Sequence, residues 1–378
     1  MPQGHRLLSV GWDTIQESWD IQPGGPWYAV LEVAKKRAQE NREGGEGVAV
    51  LEIDGEPWRV SSAGAMGGIR YVIDNGKIML LIRGQGQAFG VLVRYLSAGL
   101  WLDGWEALQV EAEAIVRRLF SCPPVIPVRV SRADWCFDFY APGYKFDAFQ
   151  MRKNLVAHSS VKFHIHGTSV HDETFLVGAL GNRQLTLYNK TKELKDKPGK
   201  EWFYDVWAVA NDGEIVFPDE PKDVYRLEVR LGKEAFKNRN IRTRAEVIDH
   251  RAETVAGALA NIRVVEPGED SNKDRRPVNP FWSEAIRNCD VSEQIKVGRY
   301  VTGKRACLLD QMAAQMAGTI RSYSILQANE VSDGGVEAVV KRVVEIMKND
   351  PEAKKKEKAA SERYKFVNGA GDDATQTD

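Results

Sequence analysis

The chain has 378 residues, 43% hydrophobic and 28% charged, so it holds enough apolar material for sizeable cores and exceeds the usual length of one domain. With 52 Lys and Arg against 53 Asp and Glu, the net charge is −1, and any nucleic-acid surface has to be a local basic patch. MPQGHRLLSVGWDT has no apolar run of signal-peptide length, and no later stretch approaches the roughly 20 residues of a membrane helix, which makes a cytoplasmic protein the default and excludes a membrane partner.

Residues 5–18 and 47–99 read as strands: VAVLEID, PWRVSS, GIRYVID and KIMLLIRG are β-rich runs separated by Gly and by Asp74-Asn75-Gly76, a hairpin signal. GWEALQVEAEAIVRRLF follows with helical spacing, placing Leu108, Ala112, Ile115 and Leu119 on one face, and Cys-Pro-Pro at 122–124 ends it. From Pro127 the pattern repeats. VRVSRADWCFDFY reads as a strand, FDAFQMRKNLVAHS as a helix, and VKFHIHG, ETFLVGAL and RQLTLYNK as three further strands. After an irregular insertion, VYRLEVRL is a strand leading into KEAFKNRNIRTRAEVIDHR, a basic helical stretch. EPGEDSNKDRRPVNP reads as a linker or long loop, residues 290–349 as mostly helical with an apolar stripe in VEAVVKRVVEIMK, and the tail as disordered. The expectation is an α+β fold of two antiparallel-sheet and helix halves, the catalytic half a central sheet with flanking helices, plus a C-terminal helical region. The corresponding divisions are 1–125, 126–265 (the catalytic domain), 266–350 and 351–378.

Four cysteines, Cys122, Cys136, Cys289 and Cys307, form no C-x-x-C pair, which argues against a zinc module and a disulfide framework. Three segments place charged or hydroxylated side chains in otherwise apolar strands. In VSRADWCFD, period two aligns Arg132, Asp134, Cys136 and Asp138 on one face, which is costly in a core unless the charges are paired or metal-bound. In LTLYNKTKE, Tyr188 ends a strand, with Lys190 two residues on and Glu193 five on. A phenol of pKa near 10 is a poor nucleophile until a cation or metal activates it. In YRLEVRL, Glu228 alternates with Arg226 and Arg230. Each segment alone also reads as a solvated face, an aromatic strand end or an ion-pair ladder.

Taken in order, the three segments resemble the replication initiation factor family of plasmids and filamentous phages, whose relatives include some conjugative relaxases. The resemblance lies in Arg132/Asp134/Asp138, in Thr174-Phe175-Leu176-Val177-Gly178 followed by Tyr188/Lys190/Glu193, and in Arg226/Glu228; it extends loosely over residues 9–290. It implies rolling-circle initiation, an origin-specific nick in which Tyr188 forms a 5′-phosphotyrosyl link and frees a 3′-hydroxyl for a polymerase. It further implies Mg²⁺ or Mn²⁺ on Asp134, Glu193 and Glu228, with Lys190, Arg132 and Arg226 supplying positive charge around the phosphate. Asp138 is a further candidate ligand, and so is the His164-Ile165-His166 pair, whose period aims both rings at one face. Lys237, Arg239, Arg242 and Arg244 are the candidate DNA grips.

The implied partners are double-stranded origin DNA with a hairpin or inverted repeat, a host helicase and polymerase, and a second copy of the chain. GAMGG and RGQGQAFG lack the Gly-Lys-Ser/Thr ending of a phosphate loop, so no nucleotide cofactor is expected. A conjugative relaxase with the same chemistry, and a DNA-binding regulator without it, are the alternatives. Trp101, Trp105, Trp202 and Trp207 read as core or hairpin-packing residues rather than base-stacking platforms.

Overall fold

In the computed structural model the described residues are 5–43, 47–157, 161–167, 172–196, 200–209, 223–290 and 333–351, with scattered positions between 316 and 357. The β-rich runs pair, antiparallel throughout, into one 11-stranded sheet in the order β2-β3-β4-β5-β6-β1-β7-β12-β11-β10-β9. The strands are β1 (Arg6–Trp19), β2 (Val48–Ile53), β3 (Glu56–Ser61), β4 (Ile69–Asp74), β5 (Ile78–Arg83), β6 (Val91–Tyr95), β7 (Val128–Tyr140), β9 (Phe163–Gly167), β10 (Asp172–Gly178), β11 (Arg183–Asn189) and β12 (Val224–Gly232). A separate pair joins β8 (Leu155–Ala157) to β13 (Ile262–Val264). The Asp74-Asn75-Gly76 turn closes β4 onto β5, with Gly76 at φ +88°.

The α+β class holds, and the two halves share one sheet. The reason is β1: its first strand-half partners β7 alone, whereas Ile15–Trp19 pairs β6 on one edge and β7 on the other. The sheet therefore crosses the boundary expected at residue 125. Residues 1–297 form one compact unit and 298–378 a second. In the second unit, Asp333–Lys348 is a helix that contains the VEAVVKRVVEIMK stripe. Residues 291–315 and the tail beyond 357 lie outside the described residues.

One sheet face carries the core. Trp135, Phe137 and Phe139 of β7, Leu185 and Leu187 of β11, and Leu227 and Val229 of β12 are all buried. Three helices pack on it: α3 (Trp105–Leu119), α9 (Arg251–Asn261) and α10 (Pro280–Arg287). The contacts are Trp105 against Trp12 at 5.8 Å between ring centroids, Arg251 over Trp135 at 4.5 Å, and Phe281 against Phe139 at 5.1 Å. As expected, Trp101, Trp105, Trp202 and Trp207 are core residues. Glu17 is the polar exception. Its buried carboxylate accepts hydrogen bonds from Trp19, Tyr95, Trp105 and Gln109 and faces no cation among them, and burial raises its pKa.

Several elements depart from the sequence expectation. Residues 26–43, unassigned by pattern, form helix α1 (Pro26–Glu43), and a short helix α2 (Ser97–Leu102) precedes α3. The helix expected over 146–159 is only α4 (Ala148–Lys153); it stops at Asn154, and Leu155–Ala157 instead becomes β8, because β13 offers it a hydrogen-bonding edge. The irregular insertion contains α5 (Lys190–Asp196) and α6 (Trp202–Val209). The basic stretch is two short helices, α7 (Lys233–Lys237) and α8 (Arg244–Asp249), parted at Asn240, where φ is +56°. Thr243 and Glu246 then cap α8 reciprocally. The linker expected at 265–282 is closed by a Val265–Val278 bridge, and α10 starts at its end with Phe281 and Trp282 fully buried.

Candidate active site on the polar face of the sheet

Antiparallel pairing brings the three charged segments together. Tyr188 sits opposite Arg226, and Arg226 opposite Asp138; in the next row Thr186 faces Glu228, and Glu228 faces Cys136; beyond it Gln184 faces Arg230, and Arg230 faces Asp134. Directly opposed side chains lie within about 5.5 Å at Cβ and diagonal ones within about 8 Å. Because strand side chains alternate, this one register places Tyr188, Arg226, Glu228, Arg230, Asp134 and Asp138 on a single face.

At one end of this face is an enclosed ion network. Asp138 accepts from Arg226 Nε at 2.7 Å and Nη2 at 2.8 Å, from Trp207 Nε1 at 2.8 Å and from the Ser9 hydroxyl at 3.0 Å. The remaining guanidinium nitrogen of Arg226 donates to Asp13 at 2.5 Å. Burial works to raise the Asp13 pKa, but Arg226, Lys190 and Lys200 hold it below the usual carboxylate range. Phe203 of α6 covers the network, with its ring centroid 4.5 Å from both the Arg226 guanidinium and the Lys190 ammonium.

Tyr188 stands beside this network, partly exposed, in the wall of a cavity of about 380 Å³. Thr174, Leu176, Thr186, Asn189, Lys192, Glu193, Asp196 and Arg230 complete the lining. Asn189 turns the chain from β11 into α5 by accepting from the Thr191 hydroxyl and the Lys192 amide, which brings Glu193 over the cavity. Glu193 accepts from Lys190 at 2.6 Å and from Lys200 at 3.2 Å; burial opposes its ionisation, yet the two ammonium groups hold it well below the usual range. Arg230 donates to both oxygens of Glu228 at 2.9 Å and to Gln184 at 3.2 Å. The Thr186 hydroxyl is buried without a hydrogen-bond partner.

The electrostatics do not pre-activate Tyr188. Burial raises its pKa well above 10, the Glu228 and Glu193 carboxylates push it further, and Arg226 offsets only part of this. The activating cation expected from the sequence is thus outweighed. Lys190, Arg132 and Arg226, expected around a reacting phosphate, are instead bound to carboxylates. Arg226 and Lys190 are enclosed, and Arg132 holds both oxygens of Asp134. The cationic side chains that line the cavity are Arg230 and Lys192.

The implied metal also meets an obstacle in the donor set. Among the described residues, no three His, Cys, Asp or Glu side chains group as a cation site. Asp134 is claimed by Arg132, Glu228 by Arg230, Glu193 by two lysines, and Asp138 by four donors. The observation nearest to a cation site is the crowding of Asp134 against Glu228. Burial first and Glu228 second lift the Asp134 pKa to about 7, against the pull of Arg132. Two carboxylates with guanidinium counter-ions already seated do not fit a three-carboxylate cage. His164 is exposed on β9, opposite Leu176, and the side chain of His166 lies outside the described residues.

Of the candidate DNA grips, Lys237 and Arg242 line a second cavity. Arg239 donates back to the Ala235 carbonyl of the preceding helix α7, and Arg244 pairs with Glu106 at 3.5 Å. Asp13, Ser9 and Lys200 carry no signal in sequence, and Trp207, read there as a core residue, also donates to Asp138. Asp13 and Arg226 are 213 positions apart, and no local pattern links them. Asp13 shows there only as a lone Asp in the strand SVGWDT.

Fold and site define the class: an α+β protein whose continuous antiparallel sheet presents a tyrosine and a charged network on one face. No family model matches the chain, and no curated protein matches it. Among solved structures it is similar to the rolling circle replication initiator protein from Geobacillus stearothermophilus, with 14% identity and a TM-score of 0.39 over 77% of this chain and 98% of that one.

Proposed function

We propose that the protein initiates rolling-circle replication by nicking one strand of an origin, with the Tyr188 hydroxyl as nucleophile. The observation that carries this reading is the register: the three motifs that resemble the replication initiation factor family fall on one face, with Tyr188 at an open cavity beside Arg230 and Glu193.

In the step, the phenolic oxygen bonds to the scissile phosphorus as the bond to the 3′-oxygen breaks. The phenolic proton leaves to a carboxylate, and the 3′-oxygen departs as a hydroxyl by taking a proton from water. Tyr188 enters the reaction protonated, so a base is required; the carboxylates acting most strongly on it are Glu228 and then Glu193. Lys192 lines the cavity where a phosphate would need charge stabilisation, and Arg230 would join it on releasing Glu228, which frees that carboxylate to take the proton. The implied Mg²⁺ or Mn²⁺ would supply further charge neutralisation, but the paired carboxylates do not form its cage, and no step here runs through it.

A second reading, an origin-binding regulator without nicking activity, is favoured by the raised pKa of Tyr188 and the neutralised carboxylates. Incubation with supercoiled origin DNA separates the two. Nicked circles carrying covalently attached protein establish the enzyme; tight binding with every circle intact establishes the regulator.

A further inference from the structure

The cavity that takes in Lys237 and Arg242 has a volume of about 570 Å³ and draws on both halves of the sequence. Arg83, Arg129, Lys233, Lys237 and Arg242 line it, against one carboxylate, Glu234. Among the described residues none of these five cations has an ion-pair partner within 4 Å, in contrast to the paired arginines of the Tyr188 face. A chain of net charge −1 thus concentrates unpaired positive charge around one groove.

The groove is also structurally fixed. Arg83 Nε is buried without a hydrogen-bond partner. Phe89, at φ +49°, is held by its amide to Asp20 at 3.1 Å, and the Arg129 guanidinium lies 5.0 Å from its ring centroid. Next to it Gly90 packs so tightly on Pro23 that a Cβ would come within 2.1 Å of the proline ring. The floor is tied from β7 to the turn between α7 and α8 by the Val130 amide donating to the Arg242 carbonyl at 2.7 Å. The Gly-rich RGQGQAFG segment, which has no phosphate-loop ending, thus contributes Arg83 and Phe89 to a basic wall.

We infer that this groove binds the sugar-phosphate backbone of DNA at a site separate from Tyr188. The row containing Tyr188 meets β7 at Asp138, nine residues from Arg129. At about 3.3 Å per residue that is roughly 30 Å. Cations around an aromatic edge suit successive phosphates with a base against the ring. The groove chemistry asks only for several phosphates; the choice of DNA rests on the nicking function proposed above.

The test uses the full chain and fluorescence anisotropy with a labelled dT20 strand and a labelled 20-base-pair duplex, titrated with salt from 50 to 200 mM. The variant Arg129→Ala/Lys237→Ala/Arg242→Ala removes three exposed side chains and leaves Arg83 in place; Lys36→Ala/Arg37→Ala on α1 is the control. Losing three phosphate contacts should lower the salt slope by about 2 to 3 and raise Kd at least tenfold near 100 mM salt, while the control matches the unmodified protein. A triple variant within twofold of the unmodified protein on both DNAs overturns the inference, as does a control variant that weakens binding equally. Inorganic tripolyphosphate is the third ligand: if it alone responds to the triple substitution, the groove serves small polyphosphates and the DNA assignment falls. A protein that binds through the groove and never nicks leaves this inference standing while removing the proposed reaction.

Discussion

Replacing Arg226 by methionine tests whether this arginine holds the fold together or serves a phosphate. The side chain is fully buried and donates three hydrogen bonds, at 2.7 and 2.8 Å to Asp138 and 2.5 Å to Asp13. Methionine fills much of the volume but leaves Asp138 with only Ser9 and Trp207, and no cation. Removing one partner of a buried pair costs about 3–5 kcal/mol, a large fraction of the roughly 5–15 kcal/mol that separates folded from unfolded chains. At about 2–4 °C per kcal/mol the melting temperature should fall by roughly 10 °C. Urea denaturation at pH 7 measures the loss directly, as a lower midpoint with an unchanged m-value. The double variant Arg226→Met/Asp138→Leu removes both charges and should recover about 2 kcal/mol or more, since the penalty lies in the orphaned carboxylate. The loss in the single variant should also shrink on acidification, because Arg226 holds the Asp13 pKa below the usual range and that share of the stability disappears as Asp13 protonates. A loss below about 1 kcal/mol, or a double variant no more stable than the single one, would refute the structural role and return Arg226 to the candidates for phosphate contact.

Other expectations follow from the same geometry. Tyr188→Phe should abolish the covalent protein–DNA adduct on a denaturing gel while origin binding stays within twofold; persistent adduct would assign the nucleophile elsewhere. Asp134, raised from 3.8 to about 7, contributes stability that is fully present below about pH 4 and lost by about pH 7. The melting temperature of Asp134→Asn relative to the unmodified protein should therefore rise across that window, at no more than about 1.4 kcal/mol per pH unit; a flat difference contradicts the shift. With Asp134, Glu193 and Glu228 already paired, 1 mM Mg²⁺ or Mn²⁺ should move the melting temperature of the DNA-free protein by less than about 1 °C, whereas a ligand at 100 times its Kd adds about 2.7 kcal/mol. A shift of several degrees that Asp134→Asn removes would show that a cation displaces the arginines. Glu17→Ala strands four donors, on Trp19, Tyr95, Trp105 and Gln109, and should cost at least about 3 kcal/mol in urea melts; a near-neutral result would mean that water replaces the carboxylate.

Local pattern was enough to read the α+β class, most strand positions, helix α3, the Asp74-Asn75-Gly76 hairpin and the alternation that puts Arg132, Asp134 and Asp138 on one strand face. These are local properties, set by side-chain period and turn chemistry within a few residues. Pairing decided the rest. Only the antiparallel register of β11, β12 and β7 could place Tyr188 opposite Arg226 and Arg226 opposite Asp138, and only β1 lying between β6 and β7 could merge the two halves into one sheet. The state of each charge was likewise tertiary. Asp13 claims Arg226 from 213 positions away, and Trp207 reaches Asp138 from α6, so side chains that look free in sequence are neutralised in the fold. Ionisation depends on burial and on neighbours a few ångströms away in space, and neither is encoded within any single segment.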